Sequence, residues 1–244
     1  MKDLALIHGW GMGSAAWEPV LPLLAQHFHL HLIALPGYDA SLGNDDDDFV
    51  HAAQALVERL PEKCLLAGWS LGAMLALQIA SLAPQGIERL ILISATPSFV
   101  QRPDWSEAQP PALLEAFSDA VSKDASGTLQ RFIALMNQGD LAARAIARAL
   151  TRRVLAAPLA DTATLLAGLT WLRTVDLRQM VGKVEMPALL IHGAKDSLMS
   201  LSAARWLQAS LPCAQLEVFD GAAHAPFLND PQRFVRLIGG FSHA

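Results

Sequence analysis

The sequence predicts an α/β fold: a mostly parallel sheet of about six strands, helices on both faces, and one helical insertion. Three observations carry that expectation. Short apolar runs alternate with longer amphipathic ones, the rhythm of parallel strands joined by crossover helices. Several of the short runs are apolar without a break, such as Leu90-Ile91-Leu92-Ile93 and Ala188-Leu189-Leu190-Ile191, as strands covered on both faces require. The rhythm stops after Ser94 and resumes near Met186.

In chain order, strands are expected at residues 4–8, 28–34, 63–69, 89–94, 188–192 and 216–219, because each is a short apolar run bounded by turn-forming residues. Helices are expected at 16–26, 47–60, 71–82, 202–209 and 231–238, where length and apolar spacing suit a helix. The run Asp45 to Asp48 could in principle attract a cation. At the start of a helix such carboxylates more simply cap free N–H groups at the positive end of the dipole. Asp230, ahead of Pro231, is expected to cap the last helix. Residues 96–185 form the insertion and 1–95 with 186–244 the core. Residues 97–111 hold four prolines and little periodicity, so they read as a linker; helical patterns follow at 111–121, 128–136, 141–155 and 162–170.

Composition narrows the function. The 244 residues are 52% hydrophobic and 17% charged with a net charge of −5, which excludes a disordered or collagen-like chain. The acidic balance gives no general reason to bind nucleic acid. No apolar stretch is long enough for a membrane span, and the apolar run after Asp3 is too short for a signal peptide. Cys64 and Cys213 do not form a disulfide framework. A cytoplasmic, monomeric protein without metal or cofactor is expected.

The sharpest chemical signal is Gly68-Trp69-Ser70-Leu71-Gly72, a GxSxG motif between an apolar strand and an apolar helix. A serine on so tight a turn projects its hydroxyl above the sheet edge, and the flanking glycines admit close backbone. A serine hydroxyl alone is a poor nucleophile, so a base and a group that orients it are required. Chain order after such an elbow runs Ser, acid, His. His224, in a loop beyond the last strand, is the expected base; His243 lies next to the chain end. Asp196, immediately after the strand 188–191, is the expected acid, ahead of Asp220 and Asp230. Charge developing on a carbonyl oxygen calls for backbone N–H donors; Leu71 and Trp10, the latter in His8-Gly9-Trp10-Gly11, are the candidates. Trp10, Trp69, Phe132 and Phe227 could line an acyl pocket, with Trp69 favoured as the neighbour of Ser70. His8 and His192 read as structural imidazoles.

From Arg131 to Arg178 there are seven Arg, three Asp and no Lys. Arg144, Arg148 and Arg152 recur every fourth residue and so fan over about 80° of one helix face, with Ile146 and Leu150 opposite. The plain reading is a solvated face. The functional one, which Arg131 could join, is a surface for an acidic, phosphate-bearing macromolecule, since arginine favours bidentate contacts with carboxylate and phosphate.

Together these residues resemble the α/β-hydrolase superfamily and, within it, the pimeloyl-[acyl-carrier protein] methyl ester esterases of biotin synthesis. The resemblance spans almost the whole chain and rests on His8-Gly9-Trp10-Gly11, Leu35-Pro36-Gly37, Gly68-Trp69-Ser70-Leu71-Gly72, Arg131-Phe132, Arg144 with Arg148, Thr174-Val175-Asp176-Leu177-Arg178 and His224-Ala225-Pro226-Phe227. It implies Ser70, Asp196 and His224 as a triad, Trp10 and Leu71 as oxyanion donors, and insertion arginines that contact an acyl-carrier protein. Two departures stand out. The chain opens on the strand leading to His8, so the first two strands usual in the fold are expected to be absent. After Leu35-Pro36-Gly37 the family's Phe-Gly-Arg-Ser style continuation is replaced by Tyr38-Asp39-Ala40-Ser41. The alternative activity is a general carboxylesterase for small soluble esters.

Overall fold

Six strands form one sheet in the order β2-β1-β3-β4-β5-β6, every neighbouring pair parallel: β1 (Lys2–Ile7), β2 (Phe28–Ile33), β3 (Cys64–Trp69), β4 (Ile87–Ile93), β5 (Ala188–Gly193) and β6 (Ala214–Phe219). The computed structural model describes residues 1–39 and 48–243. Each expected strand is present, displaced by two residues or fewer at either end. Both β3 and β5 are buried along their whole length, as their unbroken apolar sequence requires. Among the described residues β2 is an edge of the sheet, with His29 and Leu32 exposed.

Outside the region between β4 and β5 lie α1 (Leu21–Leu24), α2 (Phe49–Val57), α3 (Leu71–Leu82), α8 (Leu201–Ser210), α9 (Pro226–Asn229) and α10 (Pro231–His243). The chain steps one way from β1 to β2 and the other way from β2 to β3, so right-handed crossovers place α1 on the face opposite α2. That reversal opens a crevice between the C-terminal ends of β1 and β3, where open α/β sheets bind ligands.

Two local expectations need correction. Residues 16–26 are not one helix but a 3₁₀ turn at Ser14–Trp17 followed by the single-turn α1, because Pro19 and Pro22 interrupt the hydrogen-bond ladder. Nor is 97–111 a loose linker. Isolated bridges join Ser98 to Asp176, Val100 to Gln109 and Arg102 to Trp105, and the buried Trp105 indole donates to Ser98 O at 3.0 Å. Arg178 lies over the Trp105 ring and pairs with Asp176 at 2.7 Å and Asp104 at 3.0 Å. Asp176 and Arg178 reach this segment from distant sequence, so local periodicity cannot show their contacts.

The caps follow local chemistry. Asp48 accepts from His51 N at 2.8 Å and Asp230 from Arg233 N at 2.9 Å. Asp45 to Asp47, and Ala40 and Ser41, lie outside the described residues. Between β4 and β5 stand α4 (Pro111–Lys123), α5 (Ala125–Met136), α6 (Ala143–Ala156) and α7 (Thr162–Thr174). No helix among the described residues is long and apolar enough to cross a membrane.

Candidate active site

A single residue, Ser70, separates β3 from α3, and it adopts φ 59° and ψ −120°. That region costs a non-glycine residue about 1–3 kcal/mol. The turn is held by its neighbours: Ser70 N donates to Ile93 O at 2.9 Å, and Ser70 O accepts from Ala73 N at 2.9 Å. Only glycine fits on either side. A Cβ at Gly68 would fall 2.2 Å from Gly72 O, and one at Gly72 2.5 Å from His8 O. The elbow thus forces Ser70 to the crevice while β1, β3 and α3 meet beneath it.

Asp196 lies three residues beyond the end of β5, with its side chain fully buried. Its Oδ1 accepts from Leu198 N at 2.9 Å and Met199 N at 3.0 Å. Its Oδ2 is 2.8 Å from His224 Nδ1 and 3.5 Å from His192 Nε2. Burial is the largest influence on this carboxyl and acts to raise its pKa. The His224 charge and hydrogen bond, the His192 charge and the Met199 N–H together outweigh it, holding the group below the usual carboxylate range.

His224 is 1% exposed. Its loop packs so closely on β5 that a Cβ at Gly193 would sit 2.0 Å from Ala223 O. The backbone is fixed from two sides: His224 N donates to Met136 O at 3.2 Å, and His224 O accepts from Trp69 Nε1 at 2.8 Å. With Nδ1 against Asp196, the buried Nε2 has no hydrogen-bond partner among the described residues. The other two imidazoles at strand ends are differently occupied. His8 Nε2 accepts from Leu35 N at 3.2 Å while Nδ1 meets Gly9 O at 2.8 Å, and burial lowers its pKa to about 4. His192 Nε2 lies 2.8 Å from Met199 O, and burial holds its pKa down too.

Ser70 forms part of the wall of a cavity of about 90 Å³. The rest of the wall is almost wholly apolar: Trp10 from the β1 loop, Leu114 and Phe117 from α4, Phe132 from α5, and Leu169 and Leu172 from α7 are prominent. The Trp10 indole donates to Leu165 O at 2.8 Å, and its ring meets Phe117 and Phe132 edge-on at 5.4 and 5.2 Å. Neither Trp10 N nor Leu71 N donates to an acceptor among the described residues.

A model of the α/β hydrolase fold matches residues 4–231. The chain is 38% identical to a pimeloyl-[acyl-carrier protein] methyl ester esterase of Nitrosomonas europaea over 96% of its own length and 92% of that protein. It is equally 38% identical to one from Klebsiella pneumoniae, over 95% and 90%. The chain belongs to the pimeloyl-[acyl-carrier protein] methyl ester esterase family of α/β hydrolases. An esterase structure from Exiguobacterium antarcticum, 20% identical, superposes with a TM-score of 0.86 over 100% of this chain and 92% of that one, a likeness of fold.

Within this family member two aromatic expectations need correction. Trp69 and Phe227 do not reach the cavity. Trp69 is the last residue of β3 and turns under the elbow, where it bonds His224 O and packs against Phe227 and Trp17 at ring distances of 5.1 and 6.2 Å. Adjacency to Ser70 in sequence therefore places Trp69 behind the hydroxyl rather than before it. Arg144, Arg148 and Arg152 are exposed on α6, opposite the buried Ile146, Leu150 and Val154; they make no hydrogen bond or ion pair among the described residues. Arg131 turns back to its own helix start, donating to Thr128 Oγ1 at 2.8 Å and lying 3.7 Å from Asp124. Sequence reading missed the leucines of the wall. No signal in the sequence marks them; Leu113 and Leu135, which also line the cavity, stay 55% and 46% exposed.

Proposed function

We propose that this esterase hydrolyses the methyl ester of pimeloyl-[acyl-carrier protein], releasing methanol and leaving the thioester to the carrier intact. The observation that carries the reading is the buried 2.8 Å contact between His224 Nδ1 and Asp196 Oδ2, at the same sheet edge as the strained Ser70, in a chain whose relatives bear that name. Ser70 Oγ attacks the ester carbonyl carbon and His224 Nε2 takes its proton. Asp196 holds Nδ1–H, which leaves Nε2 as the acceptor and stabilises the imidazolium that forms. The Trp10 and Leu71 N–H groups meet the oxyanion, each worth about 3 kcal/mol. Methanol departs with the proton. A water deprotonated by His224 then attacks the acyl-serine carbonyl, Ser70 regains its proton, and the product leaves as carboxylate.

Residues 96–185 act as a lid whose inner wall takes the methylene chain, at about 0.8 kcal/mol per buried CH₂. The same wall disfavours a free carboxylate, which has no charged partner in it, so the product is driven out. On the outer face, Arg144, Arg148 and Arg152 are free to meet the acidic, phosphate-bearing carrier and set the depth to which the chain enters. The decisive experiment is to incubate the protein with methyl pimeloyl carrier protein and weigh the carrier. The expected result is loss of one methylene mass with the thioester intact. Release of the whole acyl group, or an unchanged mass alongside hydrolysis of small esters, would overturn the substrate assignment.

A further inference from the structure

The lid touches the base loop through one buried carboxyl group that the mechanism does not use. Asp140, in the turn between α5 and α6, is 7% exposed. Its Oδ1 accepts from Ala142 N at 2.7 Å and from Asn229 Nδ2 at 2.8 Å; its Oδ2 accepts from Ala223 N at 3.0 Å. The first contact is local and closes the turn. The other two are not: Ala223 immediately precedes His224, and Asn229 follows it in α9. The main chain repeats the tie, for Leu141 N donates to Gly221 O at 3.0 Å and His224 N donates to Met136 O at 3.2 Å. Gly139, at φ 88°, brings the same turn against the other catalytic loop, since a Cβ there would lie 3.4 Å from Lys195 Cβ. A turn that only joined two helices would need none of these bonds to residues eighty or more positions away.

We propose that Asp140 is a positioning residue for the base: it holds the Ala223 N–H immediately before His224 and the Asn229 side chain that follows it, so that the imidazole stays in place against Asp196, and it makes the lid part of the catalytic frame. This rests on His224 acting as base. An imidazole held at Nδ1 by Asp196 can still shift with the main chain that carries it; the bonds from Ala223 N to Asp140 and from His224 N to Met136 O restrict that shift. Asp140 does not line the cavity, so its loss acts on turnover rather than on binding.

The test compares Asp140→Ala, Asp140→Asn and, as a control at a buried lid position away from the base loop, Val154→Ala, with a short nitrophenyl ester as probe. For Asp140→Ala the expected result is a fall in kcat of about 10- to 100-fold, the scale of a slight misplacement of a catalytic group, with KM within about twofold of the parent. The downfield proton resonance of His224 Nδ1–H should broaden or vanish. Asp140→Asn keeps one acceptor oxygen and should recover part of both kcat and the resonance; should the alanine variant not accumulate, the asparagine variant alone must show reduced kcat at unchanged KM. Val154→Ala should keep kcat and the resonance. Unchanged kcat in the Asp140 variants, or an equal loss in Val154→Ala, would overturn the inference. Ser70→Ala and His224→Ala, assayed alongside, separate the two ideas: activity surviving in them sinks the triad itself, whereas their inactivity with a fully active Asp140→Ala sinks only the positioning role.

Discussion

Ser70 holds a left-handed backbone in a chain that otherwise reserves positive φ mostly for glycine, and at this residue folding stability is exchanged for reach. Ser70→Ala keeps the elbow but removes the nucleophile, so ester turnover should fall by about 10⁴- to 10⁶-fold with the melting temperature little changed. Asp196→Asn should cost about 10⁴-fold through the wrong imidazole tautomer, measurable on the same short ester. His8 makes a different kind of prediction. Folded, it stays uncharged down to about pH 4, whereas unfolded it takes up a proton near 6.5. Between those values the unfolded chain binds more protons, so stability is complete above pH 6.5 and falls by about 3 kcal/mol as pH drops to 4. Urea denaturation at pH 5 and 7.5 should show that slope, and His8→Gln should flatten it. At this scale the sequence was most readable where chemistry constrains residue order: Ser70, Asp196 and His224 could be singled out because an elbow serine demands later partners. Asp140 could not, since an aspartate after glycine reads as an ordinary turn.

At the scale of elements, strands were legible because β3 and β5 are buried along their whole length and β4 from Leu90 onward, which keeps those stretches almost wholly apolar. Helices between β4 and β5 were legible from their spacing, but not what their inner faces enclose: a leucine such as Leu114 looks the same whether it meets other side chains or a substrate. The same limit misplaced Trp69, whose direction depends on where β3 ends. One element carries a prediction of its own. On α6, Arg144, Arg148 and Arg152 are exposed and make no hydrogen bond or ion pair among the described residues, whereas Arg153 of the same helix is engaged with Glu18 at 3.2 Å. Arg144→Glu with Arg148→Glu should raise KM for the carrier-bound ester by about tenfold or more, as charge reversal across an interface does, and leave the short nitrophenyl ester unaffected. Steady-state kinetics on both substrates checks this; equal losses would mean that α6 does not meet the carrier.

Across the whole molecule, the segment between β4 and β5 closes on itself near residues 97 and 177. Leu177 N donates to Pro97 O at 2.8 Å, and Ser98 bridges Asp176, so the excursion leaves the sheet and returns at one spot, pinned there by Arg102 and Arg178. Such a closed neck suits residues 97–177 to exchange as a unit. A lid from a relative, spliced at residues 97 and 177, should leave the sheet folded and alter which esters are accepted, as thermal melts and substrate profiles of the chimera would show. Evolution can then retune selectivity by trading a whole cassette while the reacting groups stay where they are, with one condition attached: the newcomer must bring its own acceptor for the amide before the base, or it will inherit a working fold and a slack catalyst.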